Sequence, residues 1–96
     1  MEKLFCVYIL ANKKHGTLYV GVTSWLPKRV WLHKEKVIEG FTKKYGVALL
    51  VWYEVHETAE SAIHREKRLK KYKREQKLKL IEAHNPEWQD LYETLA

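Results

Sequence analysis

Two short apolar segments, each built around a tyrosine, constrain this chain more than anything else in it: Cys6-Val7-Tyr8-Ile9-Leu10 and Leu18-Tyr19-Val20-Gly21. Both alternate as strands do, and Asn12-Lys13-Lys14-His15-Gly16 between them is rich in turn formers. The chain should fold back here as an antiparallel hairpin that brings Tyr8 and Tyr19 near each other. Arg29 follows Gly21 by eight residues and His33 follows Arg29 by four.

Whether a hairpin can be built into a stable domain depends on size and apolar content. Ninety-six residues make one domain, 1–96, with room for a real core. Four tryptophans and six tyrosines supply bulky core material and argue against disorder. The formal charge of +6 points to a polyanionic partner. The single cysteine, Cys6, excludes a disulfide framework or a cysteine-based zinc site and fits a reducing compartment. No run has the length of a membrane span or a signal peptide, and Met1-Glu2-Lys3 leads straight into the first strand. A soluble, cytoplasmic protein is expected.

Beyond the hairpin, Thr23 or Ser24 can cap a helix with Pro27 in its first turn, running to about Glu39 and closed by Gly40. Phe41 to Gly46 reads as a loop. Val47 to Val55 is the longest β-type run and reads as a central third strand, buried on both faces for part of its length. Thr58 caps a second helix from about Ala59 to Tyr72. A third helix runs from about Arg74 to Ala83, and Asn85-Pro86 breaks it before a last short helix through Trp88, Leu91 and Leu95. The order strand, strand, helix, strand, helix, helix predicts an α+β fold: a small three-stranded antiparallel sheet flanked by helices.

Three placements go beyond packing. Arg29, His33 and Lys36 share one stripe of the first helix, which is either a solvated basic face or a phosphate clamp with a titratable imidazole. Glu66 falls inside the apolar stripe of Ala59, Ala62, Ile63, Leu69 and Tyr72. A carboxylate there is costly unless it is paired, hydrated or bound to a metal. It is either a helix-edge glutamate paired with a lysine or the one protein ligand that a hard cation such as Mg²⁺ needs. Third, nine cations lie between Arg65 and Lys79, among them Arg68, Lys70, Lys71, Lys73 and Arg74. With Lys43 and Lys44 they make either a solubilising surface or a footprint for a nucleic-acid backbone.

Val7-Tyr8, followed at hairpin distance by Tyr19-Val20-Gly21, resembles the paired signature of the GIY-YIG nuclease superfamily. Arg29, His33, Arg65-Glu66 and Asn85 fall in that family's order, and the resemblance covers essentially the whole chain. It is closest to the small stand-alone branch labelled UPF0213. Cys6 stands where the first triplet usually has glycine, and Val22 where some catalytic members have lysine, so base activation by that lysine is unavailable.

The resemblance implies metal-assisted hydrolysis of DNA phosphodiesters, as in repair or recombination. Glu66 would hold one Mg²⁺ or Mn²⁺ ion, and Arg29 would neutralise charge on the phosphorus. Tyr8 or Tyr19 would deprotonate the attacking water; the favoured arrangement has Tyr8, hydrogen-bonded to His33, as the base and Tyr19 orienting water or phosphate. A free phenol has a pKa of about 10. Either Arg29, His33 and the metal lower it, or His33 takes the proton onward. Gly21 supports the tyrosines, and Asn85 either steadies the metal ligand or caps the last helix. No residues remain for a separate DNA-reading domain, so specificity would be low, or set by DNA structure, by a homodimer or by a partner protein. The competing reading is a non-catalytic nucleic-acid-binding module. A basic adaptor using exposed Trp25, Trp31 or Trp88 is a third.

Overall fold

A computed structural model describes residues 4–95, so the expectation for Met1-Glu2-Lys3 lies outside the described residues. β1 (Phe5–Ala11) pairs antiparallel with β2 (Leu18–Thr23) in the register Tyr8↔Gly21 and Leu10↔Tyr19. β3 (Leu49–His56) pairs antiparallel with the other side of β1, giving the strand order β2-β1-β3. The α+β class and the element order are those expected. The central strand, however, is β1, and β3 is an edge. β3 reads as doubly buried because a bulge opposite Ile9 and Leu10 leaves Val51 without a partner in β1. The bulge turns Val51 and Trp52 into the same core cluster, while Leu50 packs on the other face.

Each sheet face has its own core. Val7, Ile9 and Ala11 pack with Ala62 and Leu69 of α3 (Ala59–Lys71) and Ile81 of α4 (Arg74–His84). Cys6, Tyr8 and Leu10 pack with Leu26 and Val30 of α1 (Leu26–Lys34) and with Val47 and Leu50. Leu91 and Tyr92 of a terminal 3-10 turn over Leu91–Thr94, with Leu95 just after it, complete that second face. Thr58 caps α3 by accepting a hydrogen bond from the Ser61 amide. Ile63 is 42% exposed and leaves the inward stripe, and Trp88 is buried, so only Trp25 and Trp31 of the three candidate tryptophans are exposed.

The largest departure from the sequence-based expectation comes after α1. Neither Thr23 nor Ser24 caps it: Trp25 holds the N-cap position without a side-chain bond, and Thr23 Oγ1 accepts from the Trp25 amide instead. The helix stops at Lys34 rather than about Glu39. Lys36 adopts a left-handed backbone (φ 56°), its amide bonds to the His33 carbonyl, and the Val37 amide bonds to Leu32. Those two bonds are the paired closure that usually ends on glycine. Lys36 therefore leaves the Arg29–His33 stripe. Gly40, at φ 112°, does not end α1 but opens a second helix, α2 (Phe41–Tyr45), where a loop was expected. Gly46 closes α2 in the left-handed region that glycine adopts at least cost.

Candidate active site

Four of the five residues singled out for catalysis meet on the α1 face of the hairpin. Tyr8 is central because β1 is central, and its buried hydroxyl lies 3.2 Å from Nε2 of His33. The Arg29 Nε–H donates to the same hydroxyl at 3.5 Å, and Arg29 and His33 can converge on it because one helical turn separates them. The Tyr19 ring stands 6.4 Å from that of Tyr8 and 5.7 Å from that of His33, centroid to centroid. Gly21, directly opposite Tyr8, makes this possible. A Cβ there would stand 2.5 Å from the Tyr8 Oη and 3.0 Å from Tyr19 Cε2. The phenol crosses over the neighbouring strand through the space a side chain would fill.

Glu66 belongs to a different element and makes no hydrogen bond or ion pair with the other four among the described residues. It projects from α3, which packs against β1 and β2 on the opposite face, between the fully buried Ala62 and Leu69. Its side chain is only 15% exposed and pairs with Lys70 at 3.1 Å. Both sequence readings of Glu66 thus have a counterpart, a lysine partner and a sheltered carboxylate. Glu66 is the smallest of the influences that raise the Tyr8 phenol, and its side-chain partner is Lys70 rather than any group of the Tyr8 cluster.

Burial dominates the electrostatics. It pushes the Tyr8 phenol above its ordinary value, against the hydrogen bond from Arg29, with Tyr19 and Glu66 adding to the rise. On balance the protein groups around Tyr8 raise its pKa, and the lowering from Arg29 does not offset burial. Burial, helped by the Arg29 charge, depresses His33 to about 4. At neutral pH the site therefore holds a protonated phenol, a neutral imidazole and a guanidinium. Among the described residues no carboxylate pairs with Arg29, and Tyr8 is its one side-chain partner.

Thr42 was absent from the sequence reading. It is buried on α2, and its Oγ1 lies 3.0 Å from His33 Nδ1, the nitrogen that faces away from Tyr8. Phe41, beside it, packs against Tyr19 at 6.4 Å. No motif marks either residue. The available signal was the four-residue spacing of Phe41 and Tyr45 behind a glycine, a helical spacing.

The remaining candidates divide by what already occupies them. Arg65 donates to Glu54 at 3.1 Å and lies over the Trp52 ring, so its guanidinium joins α3 to β3. Arg74 donates to the His15 and Gly16 carbonyls, holding the hairpin turn to α4. Lys43 pairs with Glu39 at 2.7 Å, and Lys44 lies over the Tyr45 ring. Lys36, Arg68, Lys71 and Lys73 are exposed. Asn85 donates to the Val51 and Gln89 carbonyls and accepts from the Gln89 amide, which fastens the chain after α4 to β3. Asp90, not Asn85, caps the terminal 3-10 turn.

Comparison with known proteins adds to this geometry. A family model described as the GIY-YIG catalytic domain matches residues 4–79. A UPF0213 protein of Clostridium perfringens is 39% identical over 77 residues, covering 80% of this chain and 82% of that protein. A UPF0213 protein of Staphylococcus saprophyticus is 35% identical over 81 residues, covering 84% and 96%. One from Staphylococcus epidermidis is 34% identical over 82 residues, covering 85% and 98%. No solved structure matches the chain.

Proposed function

Because the chain belongs to the GIY-YIG catalytic-domain family, we propose that it is an endonuclease that hydrolyses DNA phosphodiester bonds with one divalent ion, Mg²⁺ or Mn²⁺, held at Glu66. The observation that carries this reading is the convergence of His33 and Arg29 on the one buried hydroxyl of Tyr8, with the Tyr19 ring beside them.

The donor set fits a hard cation. Among the described residues no three His, Cys, Asp or Glu side chains cluster as a metal cage. Mg²⁺ nonetheless requires only one or two carboxylates, with waters and phosphate oxygens filling its shell. When bound, such an ion supplies Lewis-acid polarisation of the phosphate.

The chain's own groups would do the rest. Arg29, free of any carboxylate among the described residues, would place its planar donors on a non-bridging phosphate oxygen. Tyr8 would take a proton from the attacking water while passing its own to Nε2 of His33. The new oxygen–phosphorus bond would then form as the opposite phosphorus–oxygen bond breaks. The neutral imidazole fits this role, since a protonated His33 could not accept. Thr42 would accept a hydrogen bond from Nδ1–H and so leave Nε2 as the acceptor toward Tyr8. The phosphate's negative charge, arriving beside Arg29, offsets the guanidinium that helps hold the imidazole pKa down. Tyr19 would orient the water or the phosphate. The exposed cations of α3 and the α3–α4 connection, Arg68, Lys71 and Lys73, would hold the DNA backbone without reading its sequence.

The test is cleavage of plasmid and branched DNA with Mg²⁺ or Mn²⁺ by wild type and Glu66→Ala. Nicking that vanishes in the variant while DNA binding persists supports the nuclease. Binding without nicking by the wild-type protein in either metal returns the chain to the binding-module reading.

A further inference from the structure

One surface feature beside the site takes no part in that chemistry. Phe41 and Tyr45 share one face of α2, 45% and 48% exposed, with ring centroids 4.9 Å apart. Phe41 in turn stands 6.4 Å from Tyr19. The three rings form a continuous aromatic path that starts among the candidate catalytic groups and ends in solvent. Lys44 lies over the Tyr45 ring at 5.4 Å, and Lys43 is on the same short helix.

Exposing two large rings on a five-residue helix gives up apolar burial, and the sheet cores do not use them. Aromatic faces next to lysines complement one ligand chemistry well: bases that stack, joined by phosphates that carry charge. The two rings touch each other, so a base would stack on their solvent-facing sides rather than between them. Paired bases inside a duplex have both faces covered by their neighbours, whereas unpaired nucleotides offer a free face to an aromatic ring.

We propose that Phe41 and Tyr45 form a stacking platform for unpaired DNA bases next to the phosphate held at Tyr8 and Arg29, so that the preferred substrate presents a single-stranded segment. The proposal depends on the nuclease reading only for where that phosphate sits. The platform itself is a matter of binding.

The experiment separates the two. Binding of dye-labelled oligothymidylate, and of the same oligonucleotide paired with oligoadenylate, is measured with a metal chelator present so that nothing is cut. The wild-type protein should favour the single strand. The Phe41→Ala/Tyr45→Ala double variant should lose about tenfold or more of single-strand affinity, the usual scale of base–aromatic stacking, with duplex affinity unchanged. A Phe41→Trp/Tyr45→Phe variant should keep the preference, which separates ring chemistry from any disturbance of α2. Equal loss on both DNA forms, no loss on either, or a wild-type preference for duplex would overturn the platform. If the wild-type protein shows the preference yet cuts nothing in Mg²⁺ or Mn²⁺, the platform stands and the nuclease reading falls. If it cuts duplex as fast as single strand and the alanine variant does too, the reverse holds.

Discussion

His33 and His15 are both held by side-chain hydrogen bonds that link distant parts of the chain, and they are built for opposite tasks. His33 is buried between two hydroxyls, Tyr8 at 3.2 Å and Thr42 at 3.0 Å, with a guanidinium as the nearby charge. His15 lies half in solvent, 2.9 Å from the Glu82 carboxylate and edge-on to the Trp88 ring at 5.2 Å. Glu82 also accepts from the Trp88 indole at 2.9 Å, and these two bonds, Trp88 first, hold its carboxyl below the usual range. The Glu82 carboxylate holds His15 as a strap between the hairpin turn and α4. Neutral partners and burial favour a neutral imidazole with a lone pair to offer. The same residue type becomes a fastening or a proton acceptor according to what the fold sets against it.

The widest gap between the two should appear in catalysis. On the proposed mechanism, His33→Ala slows Mg²⁺-dependent cleavage by about 10²–10⁴-fold, the range of a lost acid–base group. His15→Ala leaves the rate constant unchanged in the same assay. Comparable losses in the two variants would break the contrast.

Gly21→Ala tests the space that lets Tyr8 meet His33. The added Cβ, 2.5 Å from the phenol oxygen, must push the ring away. Overpacking of this kind costs about 1–3 kcal/mol, which urea unfolding will read, and cleavage should fall with it. Unchanged stability would show that the hairpin absorbs the clash.

Thr42→Val removes the oxygen that faces Nδ1 and keeps the shape. We expect roughly a tenfold loss in kcat at unchanged KM, an altered pH profile and rescue by Thr42→Ser. A loss confined to thermal stability would make Thr42 a packing residue only.

The acid dependence of stability is the smallest and most specific effect. His33 is depressed to about 4 from 6.5, so the unfolded chain binds the extra proton in that window. Stability from the neutral imidazole is complete above pH 6.5 and declines as pH falls toward 4, by at most about 1.4 kcal/mol per pH unit. His33→Gln should flatten that segment of the curve. If His15→Ala flattens it instead, the two histidines have been assigned the wrong way round.

Much of this was legible from local pattern. Alternation about Tyr8 and Tyr19 located the hairpin, and Thr58 marked the start of α3. The helical spacing of Ala62, Glu66 and Leu69 placed a carboxylate among apolar neighbours. The events after α1 were not legible, because Lys36 in a left-handed backbone runs against its own preference and is held there by two closing bonds. Reading Gly40 as an end rather than a beginning concealed α2, and with it Thr42 and Phe41. The partners of the cations were hidden for a related reason. Charge is visible in a sequence, but Arg65 and Arg74 are occupied by Glu54 and by backbone carbonyls that lie far away along the chain.

What this sequence determined alone is whatever depends on neighbours within a turn or a hairpin: the strands, the helix faces and the family that Tyr8, Tyr19, Arg29 and Glu66 mark. Tertiary structure decided protonation and reach. A pKa depends on burial and on charges brought in from other elements, and so does the pairing of each arginine. Neither quantity exists until the elements are packed: β1, α1 and α2 around the Tyr8 hydroxyl and α3 against β3.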